Sequence, residues 1–213
     1  MGAKTWMLVY ADVDAREALS SLPELDRVAT SRLAGTLFPG EKLESLADGD
    51  LLNTCPPDNE ICIGCFPGVS VVAAREFGID YPSRLEPRFI AAGTGTVSLH
   101  AMHSVVDWFA YAQWRNGNLI RSLSLSPDSG ILEDVGPRLS FEEPYWAGRH
   151  PAVDDEEEDA YPFPFHPLEL GEAALRELFG YQLEGDAEGP LIDPTAIPLV
   201  RYKRARSGWR FWR

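Results

Sequence analysis

Lysine is scarce in this chain. Only Lys4, Lys42 and Lys203 occur among 213 residues, and arginine supplies the remaining cations. Cysteine is just as rare. Cys55, Cys62 and Cys65 are an odd number and cannot all pair, which points to a reducing compartment that keeps them as thiols. Long apolar runs are missing as well. The longest near the N-terminus, residues 6–11, is far too short for a membrane span or a secretion signal. These absences predict a soluble, cytoplasmic protein with no membrane insertion.

What is present in excess is acid. The net charge is −14. Residues 201–213 hold six basic side chains and no acidic one, so the first 200 residues carry a net −20, six more negative than the whole. A body of that sign disfavours phosphate contacts, and no specific nucleic acid partner is expected. With 45% hydrophobic residues the chain can bury one sizeable core.

The strongest local signal is a β-hairpin over residues 108–125. Asn116-Gly117 suits a type I′ turn, whose two central residues need positive φ. With those residues as the loop, Trp114 faces Leu119, Ala112 faces Arg121, Ala110 faces Leu123 and Trp108 faces Leu125. Those positions then share one apolar face, with Arg121 as its intruder. A guanidinium keeps its proton on such a face, so Arg121 is expected to find a carboxylate, Glu142 or Glu143 first and Asp107 in reserve. Open to a cleft instead, Arg121 is the candidate for holding an anionic ligand.

Around the hairpin, residues 5–11, 61–66, 96–102 and 131–135 read as strands, whereas 68–77 fits either period. Helices are expected over 23–38, over 83–92 with Ser83 as cap, and over about 169–180. Residues 154–159 are six consecutive carboxylates and read as a solvated loop. The order predicts an α+β fold, a mostly antiparallel and possibly mixed sheet with helices on one face. Residues 1–200 form one domain in this reading, and 201–213 a basic aromatic tail that docks on acidic surface or carries no fixed structure.

Chemistry is harder to find. An apolar strand followed by Asp12-Val13-Asp14 resembles the nucleophile loop of haloacid-dehalogenase-type phosphatases, and Ser104 imitates that family's second motif. The family also needs a lysine after that serine and an acidic pair beyond it. Here the only later lysine is Lys203, with no acid after it. Asp12 and Asp14 read equally well as turn and helix-entry residues. His103, Ser104 and Asp107 cluster with His100 at a strand end, a set with hydrolytic residue types but no spacing that assembles them. Cys62-Ile63-Gly64-Cys65 with Cys55 offers three thiolates, yet residues three apart on a strand diverge, so no metal and no cofactor is expected.

Long stretches are similar to an uncharacterised family of actinobacterial proteins. They are MGAKTWMLVYAD, CFPGVSVVAAREFGIDYPSRL, LHAMHSVVDWFAYAQWRNGNLIRSLSLSPDSGILEDVG, FEEPYWAG and YPFPFHPLELGEAALRELFG, within roughly residues 2–185. The resemblance implies no activity, cofactor or site residue. The expected function is protein binding or self-association, with an enzyme not favoured. The alternative is a hydrolase using Asp12, Asp14, His103 or Asp107 in a cleft at the strand ends.

Overall fold

The computed structural model describes residues 2–152, 161–185 and 191–205. Among these residues ten strands form one open antiparallel sheet, and the fold is α+β. In chain order the strands are β1 (Lys4–Ala11), β2 (Lys42–Ser45), β3 (Gly49–Asp50), β4 (Glu60–Phe66), β5 (Val69–Ala73), β6 (Thr96–His103), β7 (Trp108–Arg115), β8 (Asn118–Ser126), β9 (Gly130–Val135) and β10 (Pro198–Ala205). Across the sheet they run β2-β10-β4-β5-β1-β6-β7-β8-β9, with β3 beside β10. The helices are α1 (Ala15–Ser20), α2 (Arg27–Leu37), α3 (Pro87–Ala91), α4 (Glu143–Trp146) and α5 (Pro167–Phe179). The acidic run 154–159 lies outside the described residues.

Helices cover both faces of the sheet, where the sequence reading placed them on one. The cause is visible in β1, whose apolar residues do not alternate with polar ones. Met7 and Val9 enter one core with α1 and α5, while Leu8 and Tyr10 enter the other with α2 and α3. A strand apolar on both sides needs cover on both sides. On the α5 side, the fully buried His100 of β6 fixes the distance. Its Nε2 lies 2.9 Å from the Gly171 carbonyl of α5, and its Nδ1 lies 2.6 Å from Thr5 Oγ1 of β1. Since a carbonyl only accepts, Nε2 carries the proton and Thr5 donates to Nδ1. Burial pushes the imidazole down to about 4. Any side chain at Gly171 would strike Met102 and Phe109, so the glycine sets how closely α5 approaches.

The hairpin forms with its loop at Asn116-Gly117, both at positive φ. Its register is not the one predicted. Trp114 faces Leu119, but a bulge then gives Ile120 no partner, and Gln113 faces Arg121, Tyr111 faces Leu123 and Phe109 faces Leu125. The predicted partners of Trp108, Ala110 and Ala112 are therefore each displaced by one residue. One extra residue in a strand sends every later side chain to the other face. Leu123 and Leu125 join Phe109 and Tyr111 under α5, while Trp108, Ala110 and Ala112 face the other core.

Three further elements differ from expectation. The helix predicted over 23–38 starts only at Arg27, because Asp26 is the residue whose carboxylate accepts the Ala29 amide, at 2.8 Å. The helix predicted over 83–92 is broken by Pro87 into a single turn, Pro82–Arg84, and the short α3. Ser83 caps nothing and instead donates to Glu133 on β9. Finally, residues 201–205 are not a tail. They continue β10 between β2 and β4, where Tyr202 is buried and Arg201 and Arg204 pair with Glu60 and Glu41. Residues 206–213 lie outside the described residues.

Candidate functional site

The strand ends do not gather the residue types that a hydrolase would need. β1 and β6 are antiparallel, with Ala11 opposite Thr96 and Lys4 opposite His103. Asp12 therefore sits at one end of the sheet and His103 at the other, about 26 Å apart along the strands. Asp12 accepts from Thr94 Oγ1 at 2.6 Å, and Asp14 caps α1 by accepting the Glu17 amide at 2.9 Å. At the far end His103 Nδ1 accepts the Val105 amide at 3.3 Å, and the Ser104 amide donates to the Ala3 carbonyl at 3.2 Å. Asp107 turns elsewhere, its Oδ2 lying 3.6 Å from His166 Nε2 at the start of α5. Each candidate has a local structural partner, and Asp12 and Asp14 do not meet His103, Ser104 or Asp107.

The two thiols of the Cys-x-x-Cys segment also separate. β4 runs extended through Gly64, so Cys62 faces the α5 core and Cys65 the α2 core. They cannot share one metal ion, and burial pushes the Cys62 thiol up to about 12, far from a thiolate.

Arg121 meets the carboxylate expected of it, within a wider network. The side chain is fully buried, and Nε and Nη2 donate to the two oxygens of Glu142 at 3.0 and 2.7 Å. Nη1 donates to Asp134 and to the carbonyls of Val135 and Gly136, both at 3.2 Å. Glu142 in turn accepts from Tyr111 and from the Leu139 amide. A fork–fork pair of this kind satisfies both partners. An anionic ligand would have to displace acceptors already in place.

Three further concave surfaces carry titratable side chains. The first, about 380 Å³, lies along α5 and includes Glu172, whose carboxyl is raised to about 7, chiefly by burial. Its two oxygens already accept the amides of Leu183 and Glu184 at 2.8 and 3.2 Å, so it holds the chain after α5 in place. The second, about 670 Å³, lies beside the end of β10 and is lined by Glu41, Lys42, Asp58, Arg75, Arg204 and Ala205. Arg204 is clamped by Glu41, through Nε and Nη2 at 2.7 and 2.6 Å, and by Glu76, through Nη2 at 2.6 Å.

The third cavity has a different character. It is a groove of about 490 Å³ at the His103 end of the sheet. Trp6 of β1 and Trp108 of β7 wall it, Leu132 of β9 and Val106 of the β6–β7 turn extend it, and Asp80 and Asp128 stand at its rim. Among the described residues, no lysine or arginine lines it. Val106 is 48% exposed and its neighbour Val105 is 74% exposed, so the apolar surface continues out of the groove. His103, also in its lining, is held below its usual value by burial and by Lys4, which keeps it neutral at pH 7. Two tryptophans, one valine and two carboxylates thus share one concave surface, a lining that suits apolar groups and positive charge.

A family model described as a family of unknown function, DUF6928, matches residues 5–202. The chain belongs to this family. No curated protein and no solved structure matches it. The DUF6928 match runs from β1 into β10, so the groove and the Arg121 network both lie within it, while residues 206–213 lie beyond it.

Sequence reasoning did not single out the groove, for a plain reason. Trp6 read as part of a strand and Trp108 as part of an apolar hairpin face, and both are buried or half-buried strand residues. Only the sheet order brings β1, β7 and β9 to one end. Of the candidates named from sequence, His103 alone lines this groove.

Proposed function

We propose that this protein acts in the cytoplasm by binding, without catalysing a reaction, and that the two-tryptophan groove receives a polypeptide segment bearing basic and aromatic side chains. The observation that carries the reading is the groove's composition, indole walls with two aspartates and, among the described residues, no lysine or arginine. Arginine and aromatic residues are the groups that indole faces and carboxylates together favour. Three free thiols suit a reducing compartment. The dispersal of Asp12, Asp14, His103 and Asp107 removes the main support for a hydrolase.

Self-association through the sheet edge is less favoured. β9 ends the sheet and exposes Ile131 and Val135, but a second bulge, where Leu132 has no partner on β8, interrupts its ladder. Glu133 and Asp134 also turn back to Ser122 and Arg121. Bulges and inward charges are how edge strands avoid pairing.

The test is a titration of the full chain with excess of a short Arg/Trp peptide, followed through the indole resonances of the six tryptophans. Shifts centred on Trp6 and Trp108, reduced about tenfold in affinity by Asp80→Lys with Asp128→Lys, are the expected result. Equal binding of an Asp/Trp peptide, or shifts centred elsewhere, would refute it.

A further inference from the structure

The groove lies within reach of the chain's own basic aromatic segment. β10 ends at Ala205, and the eight residues that follow are Arg206, Ser207, Gly208, Trp209, Arg210, Phe211, Trp212 and Arg213. The register carries the end of β10 to the groove's end of the sheet. Lys203 lies opposite Glu60, Cys62 opposite Ala73, Met7 opposite Ala73, and Lys4 opposite His103. Ala205 is thus level with the turn after His103. Trp6 lies three strands from β10 and Trp108 five strands away. At about 4.8 Å per strand these separations are roughly 14 and 24 Å. Eight extended residues span up to roughly 26–29 Å, enough to bring Trp209 toward Trp6 and Phe211 or Trp212 toward Trp108.

The surface between is shaped for a passing chain. Ala205 and Arg75 line the 670 Å³ cavity, and Gly78 and Asp80, three and five residues after Arg75, line the groove. Next to the 670 Å³ cavity, one donor and one acceptor are buried with no hydrogen-bond partner among the described residues, Arg204 Nη1 and Glu76 Oε2. Buried polar atoms are rarely left so, and a backbone carbonyl and amide would satisfy the two. Charge agrees, since the segment brings three arginines and no acid to a rim holding Asp80 and Asp128.

We propose that residues 206–213 occupy the two-tryptophan groove of their own chain, so that an external partner must displace them. This rests on the binding function proposed above and adds its regulation. A tethered segment presents itself at about millimolar effective concentration. One with a dissociation constant of about 0.1 mM would therefore fill the groove about nine-tenths of the time and weaken an outside competitor about tenfold.

The experiment compares the full chain with a full-length variant carrying Trp209→Ser, Phe211→Ser and Trp212→Ser. All three changes lie outside the described fold, and an unchanged melting temperature checks that. The probe is a fluorescent peptide of sequence RSGWRFWR, read by anisotropy at low salt. The peptide should bind the variant about tenfold more tightly than the unaltered chain, weaken as salt rises, and be lost when Asp80→Lys and Asp128→Lys are added. Equal affinity for the two chains overturns occupancy by the chain's own segment and leaves the groove reading standing. No binding to either chain overturns both. A dimer of the unaltered chain that the serine variant dissolves would place the segment in a neighbour's groove, and would overturn the proposal as well.

Discussion

Arg121 and Arg204 are both held by two carboxylates, yet one cluster is closed and the other is not. Arg121 is fully buried with Glu142 equally buried, and its donors are taken up by Glu142, Asp134 and carbonyls of β9 and the residue after it. Arg204 retains some exposure, its partners Glu41 and Glu76 are more exposed still, and each side of the cluster keeps an atom with no partner among the described residues. The first cluster sits where three consecutive strands and α4 meet. The second sits at the last described strand beside the largest of the cavities considered. The contrast separates a charge pair built as structure from one left open at a surface that has more chain to meet.

The sharpest way to test the contrast is to break the closed cluster. Arg121→Ala should cost about 3–5 kcal/mol in denaturant unfolding, because Glu142 is left buried and uncompensated. A double change to apolar residues, Arg121→Met with Glu142→Leu, should cost less than either single change, since no charge is then stranded. A smaller effect comes from pH, and it belongs to neither cluster. His100 is held at about 4 in the fold and titrates near 6.5 when unfolded. Its neutral form is retained on folding, so stability is full above pH 6.5 and falls as pH drops toward 4, by about 3 kcal/mol in total. The non-titrating His100→Gln should flatten that slope while lowering stability at pH 7.

Glu172 runs the other way. Its carboxyl is raised to about 7, so its contribution is present below pH 4.5 and lost as pH rises through 7, and Glu172→Gln should remove that decline. At the open cluster, Arg204→Gln should cost only about 1–2 kcal/mol and lose part of that in high salt, because its partners are half wet. An equal cost at Arg121 and Arg204 would dissolve the distinction.

How much of this could be read from the chain alone depends on what each signal specifies. Asn116-Gly117 specified a hairpin, and a hairpin formed there. It could not specify the bulge at Ile120, because a bulge answers to a distant demand, namely that Arg121 reach Glu142 while Leu123 and Leu125 face α5. The buried Arg121 pair was legible because a guanidinium on an apolar face has few alternatives. β10 was misread since its alternation of Leu199, Arg201 and Lys203 with Val200 and Tyr202 is masked by cations, and those cations have acidic partners contributed by loops and strands more than a hundred residues away. The groove was illegible for the same reason, being a product of strand order.

β10 has one more consequence, and it concerns how the protein is made. Its two neighbours, β2 and β4, leave the ribosome long before it does, since 131 residues separate Phe66 from Pro198. At 5–20 residues per second that interval is roughly 7–26 s. Throughout it β4, whose sequence is EICIGCF, presents a bare apolar edge that only β10 will cover. Newborn chains with such edges are the ones that stick to each other. Recovery of this protein from cells should therefore follow translation speed and chaperone supply more closely than it follows the stability of the finished fold.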